Sequence, residues 1–323
     1  MRALLVANPV ATTTTQATRD AVVGVLSRGL EVEVAWTRAR GHAVELAAGA
    51  GARGFELVVG LGGDGTVNEL VNGLLGSGSS PAAGGPALGV VPGGSTNVFA
   101  RALGLPRDPL EAAAALVRAA AAGHRRVVGL GRADGRWFTF AAGVGLDAEV
   151  VRRVEGRRAQ GAAATPVLYL REAAAALAVG AGRVPVMQVS VEGADPFPAR
   201  MAVVANTRPW TYLGPRPVDP FPRASFESGL DVFAVHRIGP VTVTRAAAGM
   251  LRATSPRGRQ MVNLHDVSRV EVSAERAFPL ELDGEALEPR TRLLLEGFRA
   301  VLPVVAGPQP AQRRRRLPLR LRA

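Results

Sequence analysis

Four short apolar runs in the first hundred residues each close on a turn-forming or polar residue and give way to a stretch with helical spacing. The runs are ALLVANP (3–9), LEVEVAWT (30–37), FELVVGLGGDG (55–65) and ALGVVPGG (87–94). Helical spacing follows at 16–29 and 42–51, in TVNELVNGLL (66–75) and in TNVFARAL (96–103). In 66–75 the apolar positions are 67, 70, 71, 74 and 75, one stripe of a helix. Strict β-α alternation predicts a parallel sheet with helices on its faces. Such sheets take ligands at the carboxyl ends of their strands. Three polar or glycine-rich loops fall there: NPVATTT, GLGGDGT and PGGSTN.

The pattern changes after about residue 126, where His124-Arg125-Arg126 is the polar marker. Short β-like runs then dominate: RRVVGLG, RWFTFAAGVG, PVMQVSVEG, PARMAVVAN, GLDVFAVH, SRVEVSA and FPLELDGE. An Ala-rich helix at roughly 165–180 interrupts them. An antiparallel β-sandwich domain is expected. At 323 residues, 47% hydrophobic and 20% charged, the chain is long and apolar enough for two cores.

Composition narrows the chemistry. There is no cysteine, so thiolate metal sites, disulfides and a Cys nucleophile are excluded. His42, His124, His236 and His265 are scattered, without the close pairing of a local zinc motif. No run reaches the roughly 18 apolar residues of a membrane span, and a soluble, cytoplasmic protein is expected. All 39 basic residues are Arg, so any phosphate site must work without lysine. The net charge of +12 is concentrated partly in QRRRRLPLRLRA (312–323). This run reads as a solvated tail, or as one drawn to an anionic membrane surface. No aromatic residues interleave its arginines, so nucleic acid is not an expected partner.

Gly60-Leu61-Gly62-Gly63-Asp64-Gly65 fits G-x-G-x-x-G, but neither familiar phosphate loop survives inspection. A dinucleotide fold wants an acidic residue about twenty positions on, after the first strand. Here residues 71–107 contain no Asp or Glu, and the loop follows the third run. A Walker loop needs Lys, which is absent. What remains is a glycine turn feeding a helix N-terminus, where backbone N–H groups and partial positive charge suit a phosphate. Thr66 with Glu69 has capping-box spacing. Asp64 beside a phosphate calls for an intervening Mg²⁺, or else bonds its own turn.

NPV, GGDGTVNE, PGGSTNVFARALGLP, AGVGLDAEVV and LELDGE occur in this order. Over roughly residues 1–300 the chain thereby resembles the diacylglycerol kinase catalytic family, soluble lipid kinases related to sphingosine kinases. The resemblance implies a nucleotide-binding α/β domain (1–126) of NAD-kinase/diacylglycerol-kinase type and a β-sandwich lipid domain (127–291). A segment packing back on the first domain (292–311) and the basic tail (312–323) would follow. It implies ATP and Mg²⁺, a lipid substrate in the cleft between the domains, and transfer of the γ-phosphate to a lipid hydroxyl, diacylglycerol-like. Contact with the inner face of the membrane and a homodimer are compatible with it.

Carried over residue by residue, the resemblance assigns nucleotide contacts to Asn8, Pro9, Val10, Thr37, Gly62, Gly63, Asp64, Gly65, Thr66, Val67, Asn68, Ser95 and Asn97. Ser95 replaces a family Thr, and Val98 replaces the Asp that follows Asn97. Asp64 would help place Mg²⁺. A second metal-binding stretch falls on Ser225, Ser228 and Leu230, with Ser228 where the family has Asp and with Glu227 and Asp231 as alternative carboxylates. Asp283-Gly284-Glu285 matches the catalytic turn, and it also reads as a plain hairpin turn. Glu285 is the first choice for the base and Asp283 the second; on an extended strand both would face one side. Arg19, Arg38 and Arg101 lie near the loops as phosphate-steadying cations. Two alternatives stay open: NAD-kinase-like transfer to a soluble acceptor, and a catalytically degenerate, membrane-associated nucleotide-binding protein.

Overall fold

The computed structural model describes residues 1–9, 11, 15–76, 85–162, 165–180 and 184–307. Val10, residues 308–311 and the basic tail lie outside the described residues.

The first third alternates as its apolar runs predict. The elements are β1 (Arg2–Ala7), α1 (Gln16–Leu26), β2 (Glu31–Trp36), α2 (His42–Ala48), β3 (Leu57–Gly62), α3 (Asp64–Leu75), β4 (Ala87–Pro92), α4 (Val98–Ala102) and α5 (Pro109–Ala121). The strands lie parallel in the order β4-β3-β1-β2. Period-2 alternation sends neighbouring side chains to different cores. Leu4, Val6 and Val58 pack with Val67, Leu70 and Phe99 from α3 and α4. Ala3, Leu5 and Val59 pack with Val22 and Leu26 of α1 and Leu116 of α5. Burial on both faces explains why β3 and β4 read as continuous apolar runs. Local chemistry sets the helix starts: Thr15 accepts from Thr18 N–H at α1, and Asp108 accepts from Leu110 and Glu111 before Pro109 at α5.

The remainder comprises β5 (Arg125–Ala133), β6 (Arg136–Phe138), β7 (Ala141–Gly145), α6 (Leu146–Ala159), α7 (Pro166–Gly180), β8 (Met187–Val191), β9 (Phe197–Ala199), β10 (Met201–Ala205), β11 (Thr211–Leu213), β12 (Arg216–Val218), β13 (Leu230–Val235), α8 (Pro240–Leu251), β14 (Met261–Val267), β15 (Arg269–Leu282) and β16 (Glu285–Val305). Its strand pairs are antiparallel. A continuous hydrogen-bonded path runs β14-β13-β10-β7-β15-β16-β4-β3-β1-β2. The joint is β16: it leaves a hairpin with β15, runs antiparallel to β5, and ends with Val304 beside Leu88 of β4.

Two helices, α6 and α8, fall where only short β runs are expected from the sequence. Helix α6 starts directly after β7 with no polar linker, Gly145 turning the chain at φ 76°. In α8, Val241-Thr242-Val243-Thr244 alternates like a strand, and the Pro240 start and the following Ala run decide the outcome instead.

Candidate active site

The three strand-end loops meet at one edge of the parallel sheet. Gly93 N–H donates to Gly62 O at 2.8 Å, and Asn8 N–H to Leu61 O at 3.0 Å. Backbones touch at Gly63 and Gly94: a Cβ on Gly94 would lie 2.6 Å from Gly63 Cα, so a side chain there would drive the loops apart. Asn8 Nδ2 reaches Thr66 Oγ1 at 3.4 Å, Pro9 O accepts from Arg19, and Thr37 N–H donates to Ala7 O. Ser95 is exposed and lines a cavity of about 490 Å³ with Thr96, Asn97, Arg101 and Arg107. Asn97 sits at φ 49°, a left-handed conformation that Asn tolerates, its amide bonded to Gly94 N–H and O.

Helix α3 points its N-terminus at this edge. Gly63 is the N-cap, and the helix begins at Asp64 rather than after Thr66. The backbone N–H groups of Asp64, Gly65 and Thr66 fall in the first turn, where no intrahelical acceptor exists. Gly65 is exposed, and a Cβ there would meet nothing within 4 Å. This is an open amide cradle. The expected Thr66–Glu69 capping box does not form. Glu69 instead accepts from Gly41 and Ala43 N–H at 2.9 and 3.2 Å, capping α2. The spacing is that of a capping box, but the N-cap is Gly63, three residues earlier, so Thr66 is already inside the helix.

Asp64 does not bond its own turn. Oδ2 accepts from Val98 N–H at 2.9 Å and Oδ1 from Phe99 N–H at 3.1 Å, so one loop's carboxylate caps the next loop's helix. Burial of the carboxylate pushes it up to about 6; the backbone donors oppose this, and the Asp283 charge adds to it. With Asn97 N–H also acting on it, the carboxylate has three backbone donors for about four lone-pair sites, which leaves one open. Asp64 therefore fits a divalent cation as a ligand.

The hairpin between β15 and β16 is the second half of the site. Asp283 and Gly284 take φ 51° and 80°, the left-handed pair of a two-residue hairpin turn, flanked by the Leu282–Glu285 pair. The turn separates the two carboxylates, which do not share a strand face. Asp283 is buried, and five donors converge on it. Asn68 Nδ2, Thr139 N–H and Thr139 Oγ1 donate to Oδ2 at 2.7, 2.7 and 2.8 Å. Phe140 and Ala141 N–H donate to Oδ1 at 2.9 and 3.2 Å. Burial still pushes Asp283 up, against these donors. With about four lone-pair sites already engaged, it anchors the turn and has little capacity left for a substrate proton. Asn68 lies one helical turn after Asp64, so this bond ties the turn to α3. Glu285 is instead partly open, in ion pairs with Arg136 (2.7 Å) and Arg40. Arg136 also approaches Asn68 Oδ1 at 3.4 Å.

Arg136 and Arg40 were missing from the sequence-derived set. A signal for Arg136 existed: Asp134-Gly135 is a second hairpin turn, at φ 45° and 89°, and Arg136 follows it. Of the expected arginines, Arg19 holds the β1 loop, Arg38 donates its N–H to His42, and Arg101 lies over the Tyr212 ring.

The second metal stretch does not fit a cation. Ser228 Oγ donates to Ser225 O and accepts from Ser225 N–H, and the Leu230 side chain lies in the core. Glu227 is paired with Arg126, and Asp231 with His265 at 2.7 Å. Among the described residues no group of three or more His, Asp or Glu is placed to hold a metal.

Residues 2–132 match the diacylglycerol kinase catalytic domain family. A diacylglycerol kinase of Bacillus subtilis (strain 168) is 40% identical over 130 residues, 40% of this chain and 40% of that protein. A Chromohalobacter salexigens protein named "Probable lipid kinase YegS-like" is 39% identical over 132 residues, 41% of this chain and 40% of its own length. The matched segment thus spans well under half of either relative. Two crystal structures from Bacillus anthracis str. Sterne share the fold over 95% of this chain and 97% of theirs, with TM-scores of 0.74 at 23% identity and 0.69 at 20%. The similarity to the diacylglycerol kinase catalytic domain family thus lies in residues 2–132, the part that carries the glycine loop and α3.

Proposed function

We propose that this chain is an ATP-dependent lipid kinase that transfers the γ-phosphate to a lipid hydroxyl, diacylglycerol-like. One observation carries the reading: the Asn68–Asp283 bond holds the turn bearing Glu285 against the helix whose first turn is an open amide cradle. Phosphoryl transfer asks for positioning, charge stabilisation and a proton acceptor, and this edge offers all three. The amides of Asp64, Gly65 and Thr66 hold phosphate oxygens. Arg136 and Arg40 bring cationic charge to an edge that lacks lysine. Glu285 accepts the hydroxyl proton as the acceptor oxygen bonds to the γ-phosphorus and the bond to the β,γ-bridging oxygen breaks, releasing ADP. Mg²⁺, held by Asp64, would supply charge neutralisation on the phosphate oxygens.

The names of the relatives supply the acceptor class, and the basic segment 312–323 would bring the protein to an anionic membrane surface. No helix among the described residues is long and apolar enough to cross a membrane. The test offers labelled ATP with either diacylglycerol in detergent micelles or NAD, and separates the products by thin-layer chromatography. Label in the lipid supports the proposal. Label in NAD alone assigns a soluble acceptor and overturns it.

A further inference from the structure

Two buried acids lie beneath the hairpin, and the transfer chemistry does not use them. Asp147 is the second residue of α6; Glu281 is in β15, two residues before Asp283. They are 8% and 2% exposed. Gly143 of β7 stands opposite Glu281 in the sheet. A Cβ on Gly143 would lie 2.0 Å from Asp147 Oδ2 and 2.6 Å from Glu281 Oε1. The two carboxyl groups therefore fill the space a side chain at 143 would take, and they face each other across it. Glu281 Oε2 accepts the Gly284 N–H at 2.7 Å. Asp147 Oδ2 is buried with no hydrogen-bond partner among the described residues.

Such a pair cannot hold two negative charges. Close, buried carboxylates share a proton because ionising both is prohibitively costly. The charged neighbours Asp283 and Glu155 repel a charge on Glu281 further. The phenol of Tyr169 in α7 feels the same charges: it is pushed up, chiefly by burial, with Glu281, Glu155 and Asp147 adding and Arg158 opposing. None of the ion pairs among the described residues includes Asp147 or Glu281. A proton on Asp147 Oδ2 turns that partnerless acceptor into a donor toward Glu281 Oε1.

We infer that Asp147 and Glu281 share one proton and act as positioning residues, the neutralised pair holding Gly284 N–H and thereby the turn that presents Glu285. The presentation of Glu285 rests on the kinase reading; the shared proton and the grip on Gly284 do not.

The test therefore uses two readouts that need no activity, on the full chain. Infrared spectroscopy at neutral pH should show a protonated-carboxyl stretch that Asp147→Asn removes; absence of that band overturns the shared proton. Amide hydrogen exchange should show Gly284 protected in the wild type and in Asp147→Asn, whose amide still donates to Glu281. It should exchange about tenfold faster or more in Glu281→Ala. Unchanged protection in Glu281→Ala overturns the positioning role. Glu281→Gln, which keeps an acceptor oxygen, should retain protection if Glu281→Ala merely misfolds; loss in both variants with intact global stability is also contrary to the inference. Failure of lipid phosphorylation alone would count against the kinase reading and leave these two results standing.

Discussion

Arg136 and Glu285 are each the first residue after an Asp-Gly hairpin turn, and their side chains meet at 2.7 Å. Two local turns, 149 residues apart in the chain, thereby aim one cation and one carboxylate at the same point. Such turns fix the register of the strands they join, so the first side chain after each has a defined direction. The Asn68–Asp283 bond then fastens one of these turns to α3.

Replacing Arg136 separates its effect on chemistry from its effect on stability. The pair is partly exposed, so Arg136→Ala should change unfolding free energy by less than about 1 kcal/mol. On the proposed mechanism it should lower kcat/KM for phosphate transfer by about tenfold or more, because the guanidinium that would steady developing phosphate charge is lost. Denaturant unfolding and steady-state kinetics on the same preparation check both.

Asp64 has two duties, and two substitutions divide them. Asp64→Ala loses the acceptor for Val98 and Phe99 N–H, costing about 1 kcal/mol as helix caps do, and, on the proposed mechanism, the carboxylate that would hold Mg²⁺. Asp64→Asn keeps one acceptor oxygen. Both should abolish transfer, and the alanine variant should be the less stable by chemical denaturation. Full activity in Asp64→Asn would remove the carboxylate from the chemistry.

The buried acids make stability pH-dependent in a definite direction. Burial raises Asp147 from 3.8 to about 7. Between those values the folded protein binds more protons than the unfolded chain, so stability falls as pH rises through the window. Acidifying from about pH 8 to about pH 6 should add on the order of 1 kcal/mol. Asp147→Asn should remove most of that gain. Thermal melts of both proteins across this range are the check.

The parallel sheet was legible because β1, β3 and β4 are buried on both faces and read as apolar runs closed by Asn-Pro or glycine, while the edge strand β2 alternates. The hairpin at Asp283-Gly284 was legible for the same reason that Asp-Gly signals any tight hairpin. What escaped was pairing between distant segments. Nothing local to GGDGTVNE indicates that Asp64 caps α4, that Glu69 caps α2 or that Asn68 reaches Asp283. Likewise, the spacing of Asp283 and Glu285 promises one strand face, while two positive φ values send one carboxylate inward and leave the other with the arginines. Helix α6 escaped because it follows the RWFTFAAGVG run at once, with no polar linker and no side-chain cap at Gly145 to announce a start, and with it went the meeting of Asp147 and Glu281.

The decisive measurement is transfer of label from γ-labelled ATP, with Mg²⁺, into a mixed lipid panel in detergent micelles by wild type and Glu285→Gln. A lipid kinase with Glu285 as base predicts a labelled lipid whose formation drops by about a hundredfold or more in the variant. Undiminished labelling by Glu285→Gln, or no labelled lipid from a wild-type protein that binds ATP, would contradict it.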